Sequence, residues 1–280
     1  MITFSLRHTF ESAQPLTFYA DFNQASNTLV YPQDSLLVSV TQSGSDEKGS
    51  LHVSGGRRGY VTSEVRRRFR LRDDMGKIYK KIRTDAYIAK AIDLYRGMRL
   101  TLNDPWETTL VFIISQFNNV KRIRLITRSI IAKYGSEIEG RAAASARSFP
   151  TSADMTKATE KELKRLGAGY RARYIIGAAD YCTNNVDLDK LPSHKYLKLK
   201  EELMQIDGVG EKVADCIALM GYGNLKAFPI DVHIKRTMEK LYFEGKVKRI
   251  REIRDFAESR WGDYMGYAQQ YLFHKARMMA

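Results

Sequence analysis

The chain has 280 residues, 44% of them apolar, with a formal net charge of +14 and a pI near 9.6. Such a length allows one large or two medium domains with a sizeable core, and such a charge implies a polyanionic partner, nucleic acid or an acidic membrane surface. The opening MITFSLRHTFESAQ has no apolar run of signal-peptide length, the longest apolar stretch near Leu110–Ile114 is far too short to span a bilayer, and two cysteines, Cys182 and Cys216, indicate no disulfide framework.

Residues 1–72 carry short runs rich in β-branched and aromatic residues, LTFYADF, TLVYP, LLVSVTQ and LHVSG, separated by Asn, Asp, Ser and Gly. They predict a small antiparallel sheet joined by hairpins. The run EVRRRFRLRDDMGKIYKKIRTD (64–85) is heavily basic, with Val65, Phe69, Ile78 and Ile82 at helical spacing. A solvated helix face is the default for such a run, with a DNA-facing patch as the alternative.

From residue 86 the pattern is helical. AYIAKAIDLYRGM, PWETTLVFIISQF, VKRIRLITRSIIAKYG and DMTKATEKELKRLG each place apolar residues three and four apart. Asp104-Pro105 marks a helix start, and Gly135 and Gly167 mark stops. YRARYIIGAADYCTNN follows as a further helix, and the stretch from Ile250 to Met278 reads as two more. The fold class is α+β. A β-rich antiparallel N-terminal domain with its basic helical segment spans 1–100, and an all-α domain of two lobes spans 101–280.

Late in the second lobe, LMQIDGVGEKVADCIALM (203–220) changes character twice. A helix pattern runs up to Ile206, Gly208 and Gly210 break it, and a second helix begins at Glu211 with Lys212 in its first turn. Glycines permit a tight reversal and close approach of another backbone. A helix opening behind the turn points free amides outward, a site for an anion such as a DNA phosphate. The same turn also fits an αα-hairpin with a glycine cap. Lysine beside the positive end of the helix dipole is disfavoured as an ammonium, which is how an amine becomes a nucleophile. Nineteen residues on, Asp231 precedes the helix pattern VHIKRTMEKLYF, where it can serve as N-cap, as a catalytic carboxylate, or as both.

GVGEKVADC together with FPIDVH (228–233) resembles the helix-hairpin-helix DNA glycosylases, and within them the 8-oxoguanine DNA glycosylase/AP lyases. The resemblance covers nearly the whole chain and is strongest over 104–280. It implies a bifunctional enzyme that flips the lesion out of duplex DNA and excises it. Lys212 would form the Schiff base that permits β-elimination, and Asp231 would stabilise positive charge on the sugar. Gly208, Val209, Gly210 and His233 would hold the DNA backbone. SQFNNVKRI (115–123) resembles the family's asparagine-rich segment and LGAGYRARY (166–174) its wedge. Asn118, Arg122 and Arg171 would face the partner cytosine, and Tyr170 would intercalate where the base has left. FESAQPLTF and GYAQQYLF resemble the pocket walls, placing Ala13, Gln269 and Phe273 against the lesion, while Cys216, one turn after Lys212, would line the pocket or sit as a buried core thiol.

Three departures stand out. Ala13 replaces the family's usual glycine, Phe117 its first asparagine, and Asp207 the proline before Gly-Val-Gly. Phe117 cannot hydrogen-bond a cytosine edge, so the resemblance implies relaxed opposite-base selectivity. Two cysteines cannot supply the four ligands of the iron–sulfur cluster some relatives carry. No cofactor or catalytic metal is implied, only a structural cation at the hairpin carbonyls. The implied partner is duplex DNA containing oxidised guanine, bound by a monomer without membrane attachment. The implied place is intracellular and DNA-associated, which in a prokaryote is the cytoplasm or nucleoid. A monofunctional glycosylase for alkylated bases and a non-catalytic helix-hairpin-helix DNA-binding protein are the alternatives. Lys212 with Asp231 argues against the last, because phosphate binding needs neither.

Overall fold

The computed structural model describes residues 3–45, 49–138 and 146–279. The chain enters through a short helix, α1 (Leu6–Glu11), whose N-cap Ser5 hydroxyl accepts from the His8 N–H. A 3-10 turn follows at Pro15–Phe18. Here the strand expected over LTFYADF shrinks to β1 (Asp21–Asn23). Pro15 sits at the first position of the turn, where its fixed φ favours helical geometry over strand.

The strands β2 (Thr28–Gln33), β3 (Leu36–Ser43) and β4 (Ser50–Ser54) complete a four-stranded antiparallel meander in sequence order. Its register pairs Leu29 with Val40 and Tyr31 with Val38. Alternate side chains therefore share one face. On that face they meet Val61 and Val65 of α2 (Arg58–Arg68), with Phe69 just beyond it, in a core distinct from that of the helices.

The basic run forms two helices, α2 and α3 (Met75–Ile82), separated by a turn in which Arg70 takes a φ of +48°. Arg66 and Arg67 are exposed, as a solvated face requires. Arg68 is not. Its guanidinium is buried against Glu107 at 3.3 Å and donates to the Tyr19 hydroxyl and to Gln33 Oε1, both at 2.7 Å. A cation of this kind is tolerated inside a protein only when so paired. It ties the sheet to the helical half.

The remaining helices are α4 (Ala86–Leu94), α5 (Pro105–Ser115), α6 (Val120–Tyr134), α7 (Ser152–Met155), α8 (Glu160–Arg165), α9 (Arg171–Asn184), α10 (Tyr196–Leu203), α11 (Glu211–Met220), α12 (Val232–Tyr242), α13 (Ile250–Trp261) and α14 (Met265–Met278). Helix α5 is the central rod, buried at every residue from Trp106 to Ile114 and packed on α6, α9 and α11. Helix α14 packs on α3, α4, α12 and α13. Apolar side chains between Met75 and Leu100 join this helical core, not that of the sheet. The single helix expected over 154–167 is two. Thr159 and Glu162 form a second capping box that restarts the chain as α8.

Candidate active site

The hairpin consists of α10, a turn over 204–210, and α11. Gly208 has a φ of +79°, and a Cβ there would lie 2.7 Å from Tyr174 Cβ on α9. Glycine is required on both counts. Gly210 is extended, at φ −90° and ψ −179°, and a Cβ there would meet nothing within 4 Å. Its open side is where another molecule can approach. Gly210 caps α11 without a side-chain hydrogen bond, and the first bond of the helix runs from the Ala214 N–H to the Gly210 carbonyl. The amides of the first turn are thus left for an external acceptor. Val209, expected beside the glycines at a DNA backbone, differs from them. Its N–H donates to the Ile206 carbonyl at 3.0 Å and its side chain is buried.

Lys212 lies in the first turn of α11, partly exposed, with its ammonium 5.2 Å from the centre of the Phe112 ring on α5. Among the described residues no carboxylate lies within 4.0 Å of it; an aromatic face holds the amine in place of an ion pair. One turn on, Cys216 is buried, within electrostatic reach of both candidate catalytic groups. Burial pushes its thiol up to about 11, Lys212 draws it down, and Asp231 raises it. Asp231 is the N-cap of α12, accepting from the Ile234 N–H at 2.7 Å, and is partly exposed. The capping role is thus present, and it engages one carboxylate oxygen of the two. His233 is exposed in the same first turn.

Helix α14 draws the pocket walls together. Gln269 is 5% exposed and donates from Nε2 to the Pro229 carbonyl at 3.1 Å, two residues before Asp231. Its Oε1 is buried without a partner. Most buried acceptors in folded proteins have a partner, so this one stands out. The adjacent Gln270 donates to the Ser12 carbonyl at 2.8 Å and so fixes the segment carrying Ala13. Ala13 has a φ of +57°, the left-handed region that a glycine would occupy without cost. Phe273, one turn after Gln269, is partly buried against the same core.

The expected wedge and opposite-base residues divide. Tyr170 is 45% exposed, and Phe117, at 96%, projects from the loop between α5 and α6 with a φ of +46°. Arg122 is exposed, its backbone N–H donating to Asn119 Oδ1. Asn118 is occupied locally, its Nδ2 donating to the Ile114 carbonyl. Arg171, expected to read a base, is instead 5% exposed. Its Nε donates to the Gln116 carbonyl at 2.7 Å, Nη2 to the carbonyls of Gln116 and Phe117, and Nη1 to that of Ala168. Gln116, which sequence reasoning missed, donates in turn to the Gly208 carbonyl at 2.9 Å. Wedge, loop and hairpin form one hydrogen-bonded chain. Phe112 was also missed, because its apolar spacing looks like any other core position.

Among the described residues no cluster of His, Cys, Asp and Glu is placed to hold a metal ion, and no helix is long and apolar enough to cross a membrane. Two hairpin carbonyls near the expected cation already accept hydrogen bonds, Ile206 from Val209 and Gly208 from Gln116.

Residues 110–262 match the family described as HhH-GPD superfamily base excision DNA repair protein. The N-glycosylase/DNA lyase of Saccharomyces cerevisiae is 34% identical over 214 residues, 64% of this chain and 57% of that protein, so the match spans little more than half of its length. A "Probable N-glycosylase/DNA lyase" of Methanothermobacter thermautotrophicus is 30% identical over 75% of this chain and 72% of its own. In structure, the chain is similar to the Clostridium acetobutylicum 8-oxoguanine glycosylase/lyase solved with duplex DNA carrying cytosine opposite 8-oxoguanine. The TM-score is 0.89 at 29% identity, covering 100% of this chain and 93% of that one.

Proposed function

The chain belongs to the HhH-GPD superfamily of base excision DNA repair proteins, and we propose that it is a bifunctional DNA glycosylase and AP lyase acting on 8-oxoguanine in duplex DNA. The observation that carries this reading is Lys212 in the first turn of α11, directly behind the hairpin amides, together with Asp231 at the start of α12, the charges of both being felt by the buried Cys216 thiol. A DNA-binding module needs the amides alone.

The amides of Gly210 and the first turn of α11 take a backbone phosphate, and exposed His233 lies beside the same strand. The lesion leaves the stack to reach the pocket. There the unpartnered Gln269 Oε1 accepts from a base N–H, the Phe273 ring stacks on the base, and the Ala13 carbonyl faces its edge. As the bond between the base nitrogen and C1′ lengthens, positive charge builds on the sugar, and the free oxygen of Asp231 stabilises it. The Lys212 amine forms the new bond to C1′, losing a proton, while the base departs with one. Ring opening gives the protonated Schiff base. Loss of a proton from C2′ then expels the 3′ phosphate and cleaves the strand.

Lys212, Asp231 and solvent carry every step. A cation at the remaining hairpin carbonyl lone pairs bears on the shape of the turn alone. The protein acts as a monomer on DNA inside the cell. The test is single-turnover excision on duplexes carrying one 8-oxoguanine, one alkylated base or none, with borohydride present. Excision of 8-oxoguanine with a trapped adduct is expected. Excision of the alkylated base without an adduct points to a monofunctional enzyme instead.

A further inference from the structure

We propose that Phe117 enters the base stack beside Tyr170, in the space the extruded base leaves, and thereby makes excision tolerant of the base opposite the lesion. The inference rests on the lesion-DNA reading above and adds a specificity residue to it.

Phe117 is 96% exposed and held in the left-handed region. A phenylalanine gains nothing from either condition in the free protein, and backbone strain of this sort persists only where surrounding contacts impose it. Those contacts are present. The Arg171 Nη2 donates to the Phe117 carbonyl at 3.0 Å and the Nε to the Gln116 carbonyl at 2.7 Å, while the Gln116 side chain is anchored on Gly208 of the hairpin. The start of the loop is thus held both by α9 and by the hairpin turn, and the Phe117 ring is left almost fully exposed. The same guanidinium lies 4.6 Å from the centre of the Tyr170 ring. One buried arginine supports two exposed aromatics.

This arrangement changes what can read the partner base. A guanidinium has five N–H donors, and four of those of Arg171 are spent on three backbone carbonyls, leaving no fork to offer a base edge. Arg171 is therefore a positioning residue. Asn118 is occupied by the end of α5. Of the three side chains expected to face the partner cytosine, Arg122 is the exposed one. Hydrogen-bond reading is reduced to one side chain, whereas stacking by Phe117 serves all four bases because each has a π-face.

The experiment is single-turnover excision of 8-oxoguanine opposite cytosine, adenine, guanine and thymine by the parent, Phe117→Gly and Phe117→Asn, with borohydride trapping and thermal melting in parallel. The parent should excise opposite all four bases within about tenfold. Phe117→Gly relieves the positive φ and should melt no lower than the parent. It should nevertheless lose about 5- to 150-fold in excision opposite every base, the range expected for one lost stacking contact of about 1–3 kcal/mol. Phe117→Asn should lose most opposite adenine, guanine and thymine, sharpening a preference for cytosine. Parent rates that differ by more than a hundredfold between partners, or a Phe117→Gly variant as fast as the parent, overturn the proposal. A parent that traps no adduct with any partner removes the lesion-DNA reading itself, and the wedge with it.

Discussion

The two hairpin glycines should respond to alanine in opposite ways. At Gly208 a side chain must adopt a φ of +79°, which costs an L-residue about 1–2 kcal/mol. Its Cβ would also lie 2.7 and 2.9 Å from two carbons of Tyr174. No real Cβ comes so close, so the turn or α9 must shift, at about 1–3 kcal/mol for overpacking of this kind. Gly208→Ala should therefore lose about 2–5 kcal/mol of stability. At about 2–4 °C per kcal/mol for a domain of this size, the melting temperature should fall by roughly 4–20 °C. At Gly210 the backbone is ordinary for any residue and the added methyl meets nothing. A smaller unfolded-state entropy and a poorer cap roughly cancel there, leaving stability within about 0.5 kcal/mol of the parent. That methyl stands where a phosphate must approach the amides, and duplex binding by fluorescence anisotropy should weaken at least tenfold for damaged and undamaged DNA alike. Parent-like affinity in a folded Gly210→Ala variant would show that the first turn of α11 does not meet the DNA backbone.

Ala13→Gly removes the left-handed strain at φ +57° and should gain up to about 1 kcal/mol in denaturant unfolding; a loss would mean the methyl packs favourably where it is. Arg68→Ala leaves the buried Glu107 carboxylate without its cation and should cost about 3–5 kcal/mol, whereas the double variant Arg68→Met with Glu107→Leu should recover much of it, checked by the same unfolding curves. His274 is fully buried, and desolvation, with Arg277 and His8 adding to it, depresses its pKa from 6.5 to about 3. Below pH 6.5 the unfolded chain binds a proton there that the folded chain does not, so stability is full above 6.5 and falls as pH drops toward 3. The slope is at most about 1.4 kcal/mol per unit. His274→Leu should flatten that fall between pH 6.5 and 4.5, and an unchanged difference from the parent slope would assign the acid limb to other groups.

The start of α11 was legible because glycines, apolar spacing and a lysine lie within ten residues of one another, and all its determinants are local. The same holds for Asp231, whose capping role follows from the residue type and the pattern after it. Arg68 was not legible. Its partners Gln33 and Glu107 lie 35 and 39 residues away and are brought to it only by tertiary packing, so a run of arginines reads as solvated until the fold singles one out. Arg171 failed for a similar reason. Its residue type fits base reading, yet the carbonyls of Gln116 and Phe117 lie 55 and 54 residues away and claim its donors first. Positive φ at Ala13 and Phe117 has no signature in side chains that rarely adopt it. At Ala13 the substitution of an expected glycine was the one available hint.

Lys212, in the proposed reaction, bonds to the sugar of the damaged nucleotide. This bond is tested by reducing the reaction of the parent protein on an 8-oxoguanine duplex with borohydride, digesting the adduct, and locating the modified peptide by mass spectrometry. The sugar remnant should lie on the peptide containing Glu211-Lys212-Val213, and Lys212→Gln should give no adduct while still binding the duplex. An adduct on another lysine, or one that persists in Lys212→Gln, would contradict the account.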